Sequence, residues 1–160
     1  MRVVGLGHAA GGDDGVGIAV VEWLRTHDDG HVLELAIAAE PSALVTLFDT
    51  DSIIIVDAVV GAGPAGRIHD LELAQLERRR LVTPSSHGLD VISVLELACL
   101  LGVAPASLRL IGVSVDDVRP GFTLSPAVAA AVPRAAARVL ALAAQAMDRR
   151  GGRIEWVARR

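Results

Sequence analysis

The sequence predicts an α/β domain with three layers, in which a twisted, mostly parallel sheet lies between helices on both faces. Three observations predict it. Short apolar runs alternate with stretches of helical periodicity, the pattern that crossover connections turn into a parallel sheet. The run Ile53-Ile54-Ile55-Val56 sets four β-branched residues in a row, too short for a helix and apolar on both sides, as a buried parallel strand requires. The composition is 52% apolar with a mean hydropathy of +0.48, and a sheet covered on both faces produces that bias.

Each element has a local cause. Residues 2–6 read as a short buried strand. Asp13 then suits an N-cap, because Val16, Val20, Trp23 and Leu24 follow at i, i+4, i+7 and i+8, and Gly30 fits the C′ position that ends the helix. Residues 31–37 give a second strand. Pro41 opens a short helix carrying Leu44, Leu47 and Phe48. Residues 52–57 are the clearest strand, with Asp57 at its end. Gly61, Gly63, Pro64 and Gly66 break the chain before a short strand near 67–71. Residues 72–84 are polar and irregular, and mobility is expected there. Ser85 or Ser86 caps a helix with Val91, Val94, Leu95, Ala98 and Leu101 on its inner face, ended by Gly102. Residues 107–115 form the last long strand. Ser125-Pro126 is an N-cap followed by proline at N1, opening a helix to about residue 149 that bends at Pro133.

Length and charge narrow the function. With 160 residues the chain holds a proper core, read as one α/β domain over residues 1–150 with a frayed tail, rich in glycine and arginine, over 151–160. No run reaches the roughly 18 unbroken apolar residues of a spanning helix; the nearest, 126–147, is interrupted by Pro133, Arg134 and Arg138. Membrane insertion is therefore not expected. A net charge of −4 speaks against a nucleic-acid surface, and the basic run Arg78-Arg79-Arg80 lacks interleaved aromatics. The lone Cys99 has no partner for an internal disulfide and reads as core filler, in keeping with a cytoplasmic location.

Three polar residues stand out: Asp14, Asp57 and His87. In an α/β sheet all three belong to one rim, where ligands bind beyond the carboxyl ends of the strands. The glycine turn Gly5-Leu6-Gly7 invites a dinucleotide reading, but Ala10 stands where the third glycine belongs. The acids Asp13 and Asp14 would also repel phosphate from the helix start. One acid suffices for a cap, which leaves Asp14 over. Asp57 alone is commonly a turn residue. Beside Asp14, however, it would form a repelling pair that a cation or a shared proton relieves. His87, near a helix start, is held toward its neutral, ligating form. An acid–acid–histidine set leaves open positions on a metal such as nickel or zinc. His27, His31 and His69 read as bystanders, while His8 lies close to the glycine turn.

In order, Gly5-x-Gly7 with an acidic pair and Gly15-Val16-Gly17, then Val56-Asp57-Ala58-Val59, then Ser86-His87-Gly88 resemble the hydrogenase maturation proteases. Ile111-Gly112-Val113 and Leu124-Ser125-Pro126-Ala127-Val128 look like that family's closing strand and helix, so the similarity covers residues 3 to 140. The resemblance implies an aspartic-type endopeptidase that uses no catalytic serine or cysteine. It would remove the C-terminal peptide of a nickel-containing hydrogenase large-subunit precursor after nickel insertion. Nickel carried by the substrate would dock on Asp14, Asp57 and His87, and no organic cofactor is implied. The alternatives are a nickel-binding maturation chaperone without peptidase activity and a nucleotide-binding α/β module. Two departures mark this chain: His8 stands where the family usually has Asn, and Ala39-Glu40-Pro41-Ser42 lacks the Gly-Thr of some subgroups.

Overall fold

The computed structural model of the chain describes residues 1–27, 33–72 and 91–157. Five strands form one sheet in the order β2-β1-β3-β5-β4. They are β1 (Arg2–Leu6), β2 (Glu34–Ala38), β3 (Ser52–Val60), β4 (Ile68–Glu72) and β5 (Ser107–Val115). The first four in that order run parallel, and β4 runs antiparallel to β5 at the edge. Helices α1 (Val16–His27), α2 (Val91–Leu101), α3 (Pro126–Ala129) and α4 (Val132–Val157) complete the fold, with 3-10 segments at Gly12–Gly15 and Pro41–Leu47. The predicted α/β architecture is the one observed.

Strand β3 shows why both faces are covered. Ile54 and Val56 enter one core, with Val16, Val20, Val21 and Leu24 of α1 and Val132, Ala135, Ala136 and Val139 of α4. Ile53 and Ile55 enter the other, with Leu44 and Phe48 beside the 3-10 segment and Val94, Leu95 and Ala98 of α2. None of the four β3 side chains is more than 1% exposed, and burial of each contributes about 1.5–3 kcal/mol. Residues 126–147 are long and apolar enough to cross a membrane by length and composition. Their inner stripe, from Val128 to Leu142, is nevertheless part of the first core.

The chain leaves β1 through α1 on one face and reaches β3 through the Pro41–Leu47 segment on the other. The chain leaving β1 goes to β2 on one side of the sheet, and the chain leaving β3 goes to β4 and β5 on the other. The strand order therefore reverses between β1 and β3, the point where α/β sheets open a crevice at the carboxyl ends.

Several local expectations are corrected. Strand β3 runs past Asp57 to Val60, because β5 continues to pair with it as far as Val115. Leu101 is 58% exposed, lying beyond the last turn of α2 that the sheet reaches. Cys99 is exposed rather than core. The long closing helix is two helices, separated at Ala130 and Ala131. Pro133 cannot donate to a preceding carbonyl, so it occupies the first turn of a new helix instead of bending an old one. That helix continues to Val157, past the end expected near residue 149. Gly30, Arg78-Arg79-Arg80 and Ser85-Ser86 lie outside the described residues, as does most of the segment expected to be mobile.

Close packing of α1 on the sheet depends on a missing side chain. A Cβ on Gly17 would lie 2.3 Å from the Leu6 carbonyl oxygen and 2.4 Å from that of Val56. Gly17→Ala is expected to cost at least ~3 kcal/mol of unfolding free energy, the upper part of the range for overpacking, because backbone atoms cannot step aside. Gly61→Ala meets no atom within 4 Å and carries only the strain of its φ of +70°, about 1–2 kcal/mol. Urea unfolding of the two variants checks the difference, and equal losses would contradict the packing argument.

Candidate active site

The glycine-rich turn after β1 works as a clasp. Gly7 has φ +125°, and a Cβ there would fall 1.9 Å from the Asp14 carbonyl oxygen. Only glycine lets the backbone of Asp14 press this closely on the strand end. Within the turn, Gly11 N–H donates to the His8 carbonyl at 2.9 Å and Asp14 N–H to the Gly11 carbonyl at 3.2 Å. The glycines thus serve helix–sheet packing and loop closure, and the turn carries two acids. Nothing in this geometry supports the nucleotide alternative.

Asp14 sits in the 3-10 turn with its carboxylate held from one side. Its Oδ2 accepts the His8 main-chain N–H at 2.8 Å, and the His8 ring Nδ1 lies 3.3 Å from the same oxygen. The imidazole is 56% exposed, the Asp14 side chain 24%.

Asp13 plays a different part from the one expected. The 3-10 turn has Gly11 at its N-cap and no side-chain cap bond. The Asp13 carboxylate instead accepts the Ser125 N–H at 2.6 Å, capping α3 from 112 residues away. Ser125 does occupy the N-cap position of α3, but its hydroxyl makes no cap bond. A 3-10 turn before α1 carries Asp13 away from that helix's own free N–H groups.

Asp57 lies one residue beyond the last β1–β3 pair, Gly5↔Val56, while still paired to Gly112 of β5. With β1 gone on one side, its carboxylate stands at the crevice. Its Oδ1 accepts the N–H of Ala58 at 2.8 Å. Burial pushes its pKa up to about 7 from 3.8; the Ala58 N–H opposes this, and the Asp14 charge adds to it. The structure therefore brings Asp14 and Asp57 to one rim, within electrostatic reach of each other. His87 lies outside the described residues. Among the described residues, no three of the His, Cys, Asp and Glu side chains are grouped to hold a metal ion.

One contact on the sheet and one pair of loop contacts went unread in the sequence. His69, taken as a bystander, places Nε2 2.8 Å from the hydroxyl of Ser114, the one buried polar side chain among the described residues. The site turn and the β5–α3 connection are also stitched together: Gly12 N–H donates to Gly121 at 2.8 Å and Gly121 N–H to Ala10 at 2.9 Å. Both pairings join residues far apart in sequence, and no local pattern announces them. A cavity of about 330 Å³ at the opposite rim, lined in part by Met1, Ser52, Ser107 and Leu142, includes none of these site residues.

Fold and site together define a three-layer α/β protein with an acidic crevice at its topological switch point. Residues 36–142 match the family model described as hydrogenase maturation protease, and the chain belongs to that family. Hydrogenase 2 maturation protease of Escherichia coli (strain K12) is 29% identical over 147 residues, covering 87% of each chain. Protein FrxA of Pyrococcus furiosus is 28% identical over 134 residues, covering 82% of this chain and 96% of that protein. The solved structure of the hydrogenase maturating endopeptidase HybD from E. coli superposes with a TM-score of 0.75 at 26% identity, over 91% of this chain and 92% of that one. The protein is a protease of hydrogenase maturation, of the family that processes the C-terminus of hydrogenase large subunits.

The position of Asp57 has a consequence for stability. A carboxyl whose folded pKa lies above its unfolded value stabilises the fold only while protonated. That contribution is complete below about pH 4 and is lost as pH rises through 7. Asp57→Asn keeps the acceptor for Ala58 and has no charge to lose. Its stability relative to wild type should rise between pH 4 and pH 8 by a few kcal/mol, at most ~4. Denaturant unfolding across that range measures it, and a difference independent of pH would contradict the assigned shift.

Proposed function

We propose that Asp14, Asp57 and His87 grip a nickel ion carried by a hydrogenase large-subunit precursor, and that this grip sets the scissile bond for attack by water. The observation that supports this reading is the carboxylate pair. Asp57 is desolvated, accepts one N–H that opposes the shift, and is raised further by the charge of Asp14. A divalent cation removes that repulsion, so a substrate bearing one gains affinity at this crevice that a metal-free precursor lacks. The processing step would then follow nickel insertion.

The chemistry is of aspartic type. Water adds to the peptide carbonyl and gives its proton to a carboxylate, and that proton passes to the leaving amine as the C–N bond breaks. Holding the bond against the site contributes the larger part, roughly 7–11 kcal/mol in ideal cases. Asp14 is fixed for this by His8 and by the turn that Gly7 allows. Cys99 lies exposed on α2 and serves no part in the step.

The test uses a nickel-loaded large-subunit precursor and the purified protein, with the mass of the large subunit as readout. Wild type shortens it. Asp14→Asn and Asp57→Asn are expected to fold and to slow processing at least ~100-fold, and a precursor without nickel should not be cut. Cleavage at the wild-type rate by Asp14→Asn would overturn the reading. Tight capture of the precursor by wild type with no change in its mass would favour a chaperone.

A further inference from the structure

The connection between β5 and α3 carries the most exposed large apolar side chain among the described residues. Phe122 is 87% exposed, with Val118 at 45% in the same connection and Val60 at 58% at the end of β3. The other phenylalanine, Phe48, is 5% exposed in the core. All three exposed residues stand at the carboxyl rim, since Val60 pairs with Val115, the last residue of β5.

The backbone beneath Phe122 is fixed even though its ring is bare. Gly121 exchanges two hydrogen bonds with the Asp14 turn, through Ala10 and Gly12, and Ser125 is bonded to Asp13. Gly12, with φ +60°, lets the Arg119 carbonyl come so close that a Cβ would lie 2.6 Å away. A chain tied at three points on both sides of Phe122 pays little further entropy when the ring is covered. A preorganised aromatic anchor beside a catalytic crevice has these properties.

We infer that Phe122, with Val118 and Val60, forms the apolar docking surface for the hydrogenase large-subunit precursor. The inference rests on the proposed function in one respect: the precursor's scissile segment must come to the Asp14–Asp57 crevice. The occupant follows from continuity. The connection that bears Phe122 is bonded to the Asp14 turn through Gly121, so it adjoins a polypeptide seated at Asp14. A second apolar cluster, Leu97, Leu100, Leu101 and Val103, lies toward the end of α2 that leads into the start of β5. It is therefore at the opposite rim and outside that path.

The experiment measures precursor processing and binding for wild type, Phe122→Ser, Val118→Ser and Leu100→Ser. Phe122→Ser should raise KM about tenfold to a hundredfold with kcat within about twofold, and Val118→Ser should raise it less. Leu100→Ser should match wild type. Thermal unfolding of Phe122→Ser should stay at or above that of wild type, since no packing is lost. Binding is measured again in an Asp14→Asn background. There Phe122→Ser should weaken precursor binding by the same factor, so docking is read without cleavage. If Asp14→Asn still cleaves, the proposed chemistry fails while the docking surface stands. An unchanged KM and affinity for Phe122→Ser, a loss confined to kcat, or an equal loss with Leu100→Ser would each overturn the docking assignment.

Discussion

The close approach of α1 to the ends of β1 and β3 governs the rest of this structure. Gly17 lies against the carbonyls of Leu6 and Val56, and a Cβ on Gly5 would in turn meet the Gly17 carbonyl at 2.3 Å. Two facing glycines thus remove the side-chain layer that normally separates a helix from a sheet. The segment feeding α1 is then too short to wander. It must fold back over the strand end as a tight 3-10 turn, and that turn holds Asp14 above β3, where Asp57 waits. A side chain at either glycine would lift the helix and take the site with it, so the packing contact and the electrostatic contact are one constraint.

Much of this arrangement is legible in the sequence, because the signals are local. Four β-branched residues at 53–56 dictate a strand buried on both faces, and the spacing of Val16, Val20 and Leu24 dictates the inner face of α1. The position of Asp57 followed from its strand, and that of Asp14 from the turn. Contacts between distant residues did not follow. Asp13 caps a helix 112 residues away, and His69 meets Ser114 across the β4–β5 pair. Both depend on which distant elements lie side by side, and no local pattern gives that. The end of β3 was missed for the same reason: pairing with β5, not the composition of β3, carries the strand past Asp57 to Val60. His87 lies outside the described residues, and its place in the site rests on resemblance and proposal.

A contrast within the sheet sets the Asp57 carboxylate apart from a carboxylate of the edge strand. Asp70 on β4 is also a poorly exposed carboxylate, and it is fully answered. Arg109 donates to its Oδ1 through two nitrogens, at 3.0 and 2.6 Å, and Arg138 of α4 donates to Oδ2 at 2.6 Å. Those contacts fasten the edge strand to its neighbour and to the helix above. Asp57 sits two strands away on the same sheet, and among the described residues it receives one N–H from the adjacent residue and the repulsion of Asp14. At Asp70, where the carboxylate fastens strand to strand and strand to helix, two arginines meet the charge. At the crevice, among the described residues, Asp57 has no arginine partner and the neighbouring backbone is held by close glycine contacts instead. That is why a cation on the incoming substrate is the counter-charge proposed for it.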